Sequence, residues 1–275
     1  MHYPHSPAPT SPRRRRLLTS ALATAGATAF LGATVMTGSA GAIVNGHDST
    51  QRYPFMATIP MKEADAQCGA TLIDRQWVLT AAHCVKESTP AGTVRIGSEH
   101  RKTGGTVRKI DKTVVHPGYV PVDDDGAPSR NDLALVRLDR PVTQKPLRIA
   151  AKTGPAGTHT RILGFGTVID IADLKDAKFP ARMQELDTRR GSEAECFGRV
   201  DNTRLCTVSL KPKAMACFGD SGGPQLQRTA GGRWELVGAT SGDGDWDSTC
   251  STGPGLYTNV PVYKKWINKT LHENR

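Results

Sequence analysis

Short apolar runs separated by turn residues are the feature that most limits the fold of this chain. Examples are Ala70–Ile73, Trp77–Thr80, Val94–Ile96, Leu133–Leu138, Arg161–Phe165, Leu236–Thr240 and Gly255–Val260. None is long enough for an ordinary helix, and the chain contains 28 glycines and 18 prolines that mark turns between them. This spacing predicts an all-β sandwich or barrel and disfavours alternating strands and helices.

The end of the chain follows a different period. Val262, Trp266 and Ile267 recur at helical spacing, with lysines between them. The pattern predicts a short amphipathic helix at roughly 261–271 that packs on the body of the protein. The segment 139–157, which holds three prolines, is the predicted connection between two halves of the chain.

The first 42 residues have the pattern of an export signal. Arg13–Arg16 precede a moderately apolar stretch, Leu17–Met36, and Ala40-Gly41-Ala42 forms a small-residue cleavage site. A membrane anchor is the alternative, but polar residues interrupt the apolar stretch. We therefore predict a secreted protein, exported by the general route or by the twin-arginine route.

Charge and cysteine content narrow the function classes. The formal net charge is +10, and Arg13–Arg16 supply four of those charges. The other basic residues are scattered, without a basic helix or an aromatic stacking motif, which argues against nucleic-acid binding. All six cysteines follow the signal, and an even number in an exported chain predicts disulfides. Zinc is the alternative, but the chain has no C-x-x-C pair, so no metal site is predicted.

The segment 216–224 places Ser221 in a run of glycines. A serine hydroxyl is a weak nucleophile and needs a base and an orienting acid. Two candidates stand upstream, His83 after an apolar run and Asp132 at the start of another. Taken singly, each has a simpler interpretation, since serine in a glycine-rich turn and aspartate after asparagine are common turn and cap residues.

Five motifs in order resemble the chymotrypsin/trypsin family of serine endopeptidases. They are IVNG at 43–46, TAAHC at 80–84, NDLAL at 131–135, GDSGGP at 219–224 and GLYT at 255–258. The resemblance covers nearly all of 43–268. It implies a peptidase domain over 43–275 with two antiparallel six-stranded β-barrels, roughly 43–145 and 146–260, and a short C-terminal α-helix. It also implies protein or peptide substrates, proteinaceous inhibitors, a monomer and no cofactor.

The resemblance assigns chemical roles to the candidate residues. Ser221 would attack the scissile carbonyl, His83 would take its proton, and Asp132 would hold the imidazole. The backbone N–H groups of Gly219 and Ser221 would form the oxyanion hole. The competing hypothesis is a secreted binding protein that has lost catalysis. Such members usually lack one of the three residues, and all three are present here.

Disulfide pairing and activation are further implications of the resemblance. The implied pairs are Cys68–Cys84, Cys196–Cys206 and Cys217–Cys250. A new N-terminal ammonium on Ile43 would fold inward and pair with Asp220. Because Ile43 directly follows the small-residue cleavage site, we expect signal cleavage itself to expose it. The uncleaved precursor would then be inactive, and no separate propeptide would be needed.

The expected specificity pocket departs from the trypsin pattern. Met215 stands at the pocket floor, where trypsin-like members carry an aspartate. Together with the small Ala216 beside it and Gly255 on the opposite wall, this apolar floor residue predicts cleavage after apolar or aromatic residues. The other wall residues are Ser241, Gly242 and Asp243. Asp243 lies near the expected entrance within an acidic region, so an acidic rim that favours basic residues is the alternative.

Overall fold

Antiparallel pairing joins the strands of the protein. The structure is a computed structural model that describes residues 43–63, 65–171, 173–247 and 249–274. The predicted export signal, residues 1–42, lies outside the described residues. No helix in the described part of the chain is long and apolar enough to span a bilayer.

The first barrel forms from the first half of the chain. Its strands are β2 (Met56–Pro60), β3 (Gln67–Asp74), β4 (Trp77–Thr80), β5 (Thr93–Ile96), β6 (Thr106–Val115) and β7 (Ala134–Leu138). They close in the order β2-β3-β4-β7-β6-β5, because β5 pairs back onto β2. Closure removes the exposed sheet edges that an open sheet would have. The inward side chains include Leu72, Leu79, Ile96 and Leu135, all fully buried.

The second barrel follows after residue 158. Its strands are β8 (His159–Gly164), β9 (Gln184–Arg190), β10 (Arg204–Ser209), β11 (Pro224–Arg228), β12 (Trp234–Asp243) and β13 (Gly255–Asn259). They run in the order β9-β10-β13-β12-β11-β8, and β8 pairs with β9 to close the ring. A short first strand, β1 (His47–Asp48), adds to β9. The predicted class, two antiparallel six-stranded barrels with a C-terminal helix, is confirmed.

The helices are short. α1 (His83–Lys86) follows β4, and α2 (Lys264–Glu273) ends the chain. Among the residues that the structure describes, three single turns of 3-10 helix cover Leu174–Asp176, Ala194–Cys196 and Val260–Tyr263.

The C-terminal helix differs from the prediction at its start. The predicted helix begins at residue 261, whereas α2 begins at Lys264 after the 3-10 turn. The tighter turn changes which residues face the body. Val262, predicted to pack inward, is therefore exposed, while Tyr263 and Ile267 are buried.

One hydrogen bond ties the first barrel to the loop that precedes β11. The Gly69 N–H in β3 donates to the Ser221 carbonyl at 2.7 Å. The backbones approach so closely that a Cβ on Gly69 would lie 2.6 Å from the Gly223 Cα. The contact places the glycine-rich loop beside β3 and β4.

Candidate active site

His83 and Asp132 meet because their strands pair. β4 lies beside β7, with Thr80 opposite Ala134, so the end of β4 and the start of β7 are adjacent. His83 begins α1 directly after β4, and Asp132 comes just before β7. The His83 Nδ1 lies 2.9 Å from the Asp132 Oδ2, and the His83 backbone N–H donates to the Asp132 Oδ1 at 3.1 Å. The two contacts fix the ring against the carboxylate.

Two further donors hold Asp132 from the second barrel. The Ser241 hydroxyl donates to the Asp132 Oδ2 at 2.6 Å, and the Thr258 hydroxyl donates to the Asp132 backbone carbonyl at 2.8 Å. The sequence placed Ser241 only in the pocket wall and missed this second contact. The two residues are 109 positions apart, so no local pattern could have revealed it.

Burial and pairing shift the pKa values of His83 and Asp132, and the net shifts favour an ion pair between them. Burial alone lowers the pKa of His83, but the Asp132 carboxylate outweighs it, so that the pKa is raised above its ordinary 6.5. Burial alone raises the pKa of Asp132, but His83 and the Ser241 hydroxyl outweigh it and the pKa is lowered. Asp132 therefore stays ionised and favours the protonated form of the imidazole.

Ser221 lies in a loop that requires glycine at position 222. The Gly222 N–H donates to the Thr240 carbonyl at 2.8 Å. Gly222 has φ of +75°, and a Cβ there would meet the Thr80 Oγ1 at 2.2 Å. Glycine is thus required both by the left-handed backbone and by the close approach of β4. The loop is thereby held against β4, the strand that directly precedes His83.

Three disulfides hold the loops of the two barrels. Cys68 bonds to Cys84, Cys196 to Cys206, and Cys217 to Cys250. The first bond fastens β3 to α1 at the residue after His83. The third fastens the segment before Ser221 to the loop after β12.

Gly219 presents an unoccupied donor near Ser221. Its φ is +96°, and a Cβ would lie 2.9 Å from the Phe179 ring and 3.0 Å from the Gly166 Cα. Within the described residues, neither the Gly219 N–H nor the Ser221 N–H donates to a protein acceptor. Two backbone donors two residues apart are therefore left for a ligand.

A cavity of about 210 Å³ opens beside Ser221. All six residues predicted for the pocket line it, namely Met215, Ala216, Ser241, Gly242, Asp243 and Gly255. The sequence analysis missed further walls, which are Cys217, Phe218, Thr240, Cys250 and Pro254. Most of these lie within a few residues of the predicted ones, so the continuation of the same segments was the available signal.

The floor and the rim of this cavity differ in polarity. Met215 is only 2% exposed, and its Sδ lies 3.3 Å from the position of a Cβ on Gly255. The floor is thus apolar and filled by a flexible thioether. At the rim, desolvation raises the pKa of Asp243 to about 6, while a hydrogen bond from the Asp245 backbone N–H opposes that shift. The rim thus carries a carboxylate whose pKa lies above the ordinary value.

Ile43 and Asp220 are both buried in the second barrel. Ile43 packs with Ile162 and Met215, and the Val44 N–H next to it donates to the Met215 carbonyl at 2.9 Å. The Asp220 carboxylate accepts from the backbone N–H groups of Gly166 at 2.8 Å and Cys217 at 3.1 Å. Burial nevertheless raises the pKa of Asp220 to about 7.

Comparisons with known proteins agree with this architecture. A family model described as Trypsin matches residues 43–267. Trypsin from Sarcophaga bullata is 32% identical over 248 residues, covering 85% of this chain and 90% of that protein. Human kallikrein-5 is 30% identical over 249 residues, covering 86% and 78%. Neuropsin, a serine protease expressed in the limbic system of mouse brain, superposes with a TM-score of 0.68 at 27% identity, covering 83% of this chain and 100% of that chain. The chain therefore belongs to the trypsin family and is a serine endopeptidase.

Proposed function

We propose that this serine endopeptidase works through Ser221, His83 and Asp132. The observation that carries the proposal is the 2.9 Å contact between the His83 Nδ1 and the Asp132 Oδ2. It occupies one ring nitrogen and leaves Nε2 to accept the proton of the Ser221 hydroxyl. Ser221 in turn lines the cavity that would receive the substrate side chain.

The reaction divides into two acyl transfers. The Ser221 Oγ attacks the carbonyl carbon while its proton moves to His83, and the tetrahedral oxyanion forms. The C–N bond then breaks, and His83 gives that proton to the leaving amine. Water repeats the sequence on the ester, releasing the acid and restoring Ser221. The N–H groups of Gly219 and Ser221 would stabilise the oxyanion, each by about 2.7–4 kcal/mol.

A serine-directed phosphonate tests the proposed nucleophile. We expect stoichiometric phosphonylation at Ser221, located by peptide mass spectrometry, together with loss of activity. Ser221→Ala should abolish both labelling and proteolysis, lowering kcat by about 10⁶-fold. Ser192→Ala is the matched control, because Ser192 contacts Glu195 instead of the triad. Labelling at another residue would refute the assignment.

For specificity, we propose cleavage after apolar or aromatic residues of moderate size. The support is the buried Met215 floor and the about 210 Å³ volume of the cavity. The alternative, a preference for basic residues, has its own support in Asp243 at the rim. Matched peptides with Phe, Leu or Arg before the cleaved bond decide between them, and faster cleavage after Arg would overturn the apolar assignment.

For activation, we propose an ion pair between the Ile43 ammonium and Asp220. Both residues are buried. In the uncut chain the ionised Asp220 costs stability as the pH rises from 3.8 toward about 7, because its folded-state pKa lies above the ordinary value. A cation beside it would reverse that cost, and removing one partner of a buried pair costs about 3–5 kcal/mol.

The backbone at Ile43 supports cleavage at the same bond. Its φ is +63°, a region that β-branched residues rarely adopt. Cleavage of the peptide bond before Ile43 would free this torsion. We expect the mature protein to begin at Ile43, and N-terminal sequencing of the active form checks this. A mature N-terminus upstream of Ile43 would contradict it.

We further propose that the protein is secreted and monomeric, with the active site between barrel halves of roughly 43–145 and 146–260. The support is the signal pattern of residues 1–42 and the three disulfides, which persist in oxidising compartments. Protein or peptide substrates follow from the family, and proteinaceous inhibitors would occupy the same cavity. Activity in the culture medium, eluting at monomer size, tests secretion and oligomeric state.

A further inference from the structure

A second cavity lies beside Phe179, whose ring is close to Gly219. It has a volume of about 440 Å³ and is larger than the cavity beside Ser221. Its walls are Asp65, the loop His100–Thr103 and the segment around Phe179 and Ala181. None of these residues belongs to the motifs of the proposed reaction.

The charge in this second cavity is unbalanced. The Asp65 carboxylate binds the Arg101 guanidinium, with Nη1 at 3.1 Å, and the Lys102 ammonium at 2.8 Å. One carboxylate therefore faces two cations, which leaves an excess positive charge. The Arg101 Nε–H is also buried, without an acceptor among the described residues.

Arg101 is fixed in place, whereas Lys102 is adaptable. The Arg101 side chain is only 7% exposed, and its guanidinium stacks on the Phe179 ring at 4.4 Å. Its backbone N–H donates to the Ala181 carbonyl at 2.9 Å. The Lys102 side chain is 66% exposed and can turn toward a second carboxylate without leaving solvent. The pair thus combines an immobile guanidinium with a mobile ammonium.

Phe179 connects this cavity to the proposed oxyanion hole. The ring that stacks on Arg101 also lies 2.9 Å from the position of a Cβ on Gly219. The cavity that would receive the acyl side chain is lined by Met215–Phe218 and Ser241–Asp243 instead. The second cavity, called the cationic cavity from here on, is lined by none of those residues.

The cationic cavity also lies on the side of His83. Asp65 belongs to the turn between β2 and β3, and β3 carries Cys68, which is bonded to Cys84 next to His83. In the proposed reaction His83 protonates the leaving amine, so the leaving chain departs on this side. The first three residues of an extended chain span about 10 Å.

We propose that the cationic cavity binds an acidic side chain within the first three residues after the scissile bond. The inference rests on the proposed function, since it assigns the leaving chain to the side of His83. It makes Lys102 and Arg101 determinants of substrate specificity for acidic segments of a protein chain.

Paired quenched peptides test this preference. All peptides have the same residues before the cleaved bond. The two members of a pair differ at one position, the first, second or third after that bond, where one carries Glu and the other Gln. At one position we expect kcat/KM for Glu to exceed that for Gln by about three- to tenfold, as for a charge-assisted contact at a partly exposed site. The ratio should fall as salt is added.

Variants at the exposed lysine assign the preference to the cavity. Lys102→Ala should reduce the Glu/Gln ratio toward one, and Lys102→Glu should invert it. Lys152→Glu makes the same charge change at an exposed loop position elsewhere and should leave the ratio unchanged. A ratio of one at all three positions in the unmodified protein, or a ratio unaffected by Lys102→Glu, would overturn the proposal.

A substrate without a leaving peptide separates this proposal from the proposed function. An anilide with the same acyl part has nothing to place in the cationic cavity. We expect equal kcat/KM on the anilide for the unmodified protein and every Lys102 variant. If the unmodified protein does not cleave the anilide or label at Ser221, the proposed function fails. If it does both and the Glu/Gln ratio is one, only the cavity assignment fails.

Discussion

At the scale of single residues, the proposed reaction makes the pKa of His83 the lower pH limit of activity. His83 must be neutral to take the Ser221 proton, and the Asp132 carboxylate holds its pKa above the ordinary 6.5. We therefore expect kcat/KM to fall as the pH drops, with a midpoint above 6.5. Asp132→Asn should move the midpoint lower and reduce kcat by about 10⁴-fold. A pH profile of the unmodified protein with its midpoint below 6.5 would contradict this electrostatic assignment.

A single residue also decides the polarity of the pocket floor. Met215→Asp would place a carboxylate at a site that is 2% exposed, where only a basic substrate side chain could pair with it. We expect cleavage after Arg relative to Phe to rise at least about tenfold. Met215→Leu conserves volume and apolarity and should keep the original preference. The measurement is kcat/KM on the matched Phe and Arg peptides.

At the scale of elements, the loop that carries Ser221 depends on the backbone of Gly219. In Gly219→Ala the new residue is strained at a φ of +96°, and its Cβ lies too close to Phe179. The loop must therefore move, and the N–H of residue 219 moves with it. We expect kcat to fall by about 10²–10³-fold, as for loss of one oxyanion donor.

A matched glycine separates the contact from the torsion. Gly157 has φ of +87°, and a Cβ there would meet no atom of the described residues within 4 Å, apart from its chain neighbours. Gly157→Ala therefore carries the torsional strain alone, in a loop remote from the site. We expect it to lower the free energy of unfolding while kcat stays unchanged. An equal loss of kcat in both variants would show that the oxyanion assignment of Gly219 is wrong.

At the scale of the whole molecule, a buried network joins the chain entering the first barrel to the second barrel. Glu185 in β9 is fully buried, and its carboxylate accepts from Tyr53 at 2.6 Å, from Thr50 at 2.7 Å and from Arg161 at 2.8 Å. Burial and the Glu185 contact raise the pKa of Tyr53 to about 12, so that its hydroxyl stays a donor. Arg161 also pairs with Asp187.

Weakening this network should lower stability without changing the chemistry. Glu185→Gln keeps the shape but removes the charge, and we expect a loss of about 1.5–3 kcal/mol in the free energy of unfolding. Tyr53→Phe removes one neutral donor and should cost more than a surface substitution. Denaturant titration measures both, and kcat should remain unchanged while the protein is folded. An unchanged midpoint for Glu185→Gln would contradict the role of the network.

Strands with a plain apolar pattern could be predicted, and polar ones could not. β4 coincides with its predicted run, Trp77–Thr80. β9 was missed because it reads QELDTRR, yet Gln184, Glu185 and Thr188 are fully buried. Partners far away in the chain bind the Gln184 amide N–H, the Glu185 carboxylate and the Thr188 hydroxyl, and hydropathy cannot show that. β6 was missed because much of it faces solvent.

The sequence by itself determined the β class, the family and the residues of the proposed reaction, because each rests on short patterns of neighbouring residues. Only the tertiary structure decided that Ser241 binds Asp132 and that Arg101 stacks on Phe179 beside Gly219. Those contacts join residues far apart in the chain, and they form when the barrels close and the loops are held by disulfides. The glycine-rich loop could be recognised as a motif. The two cavities near it depend on strand pairing that no local pattern contains.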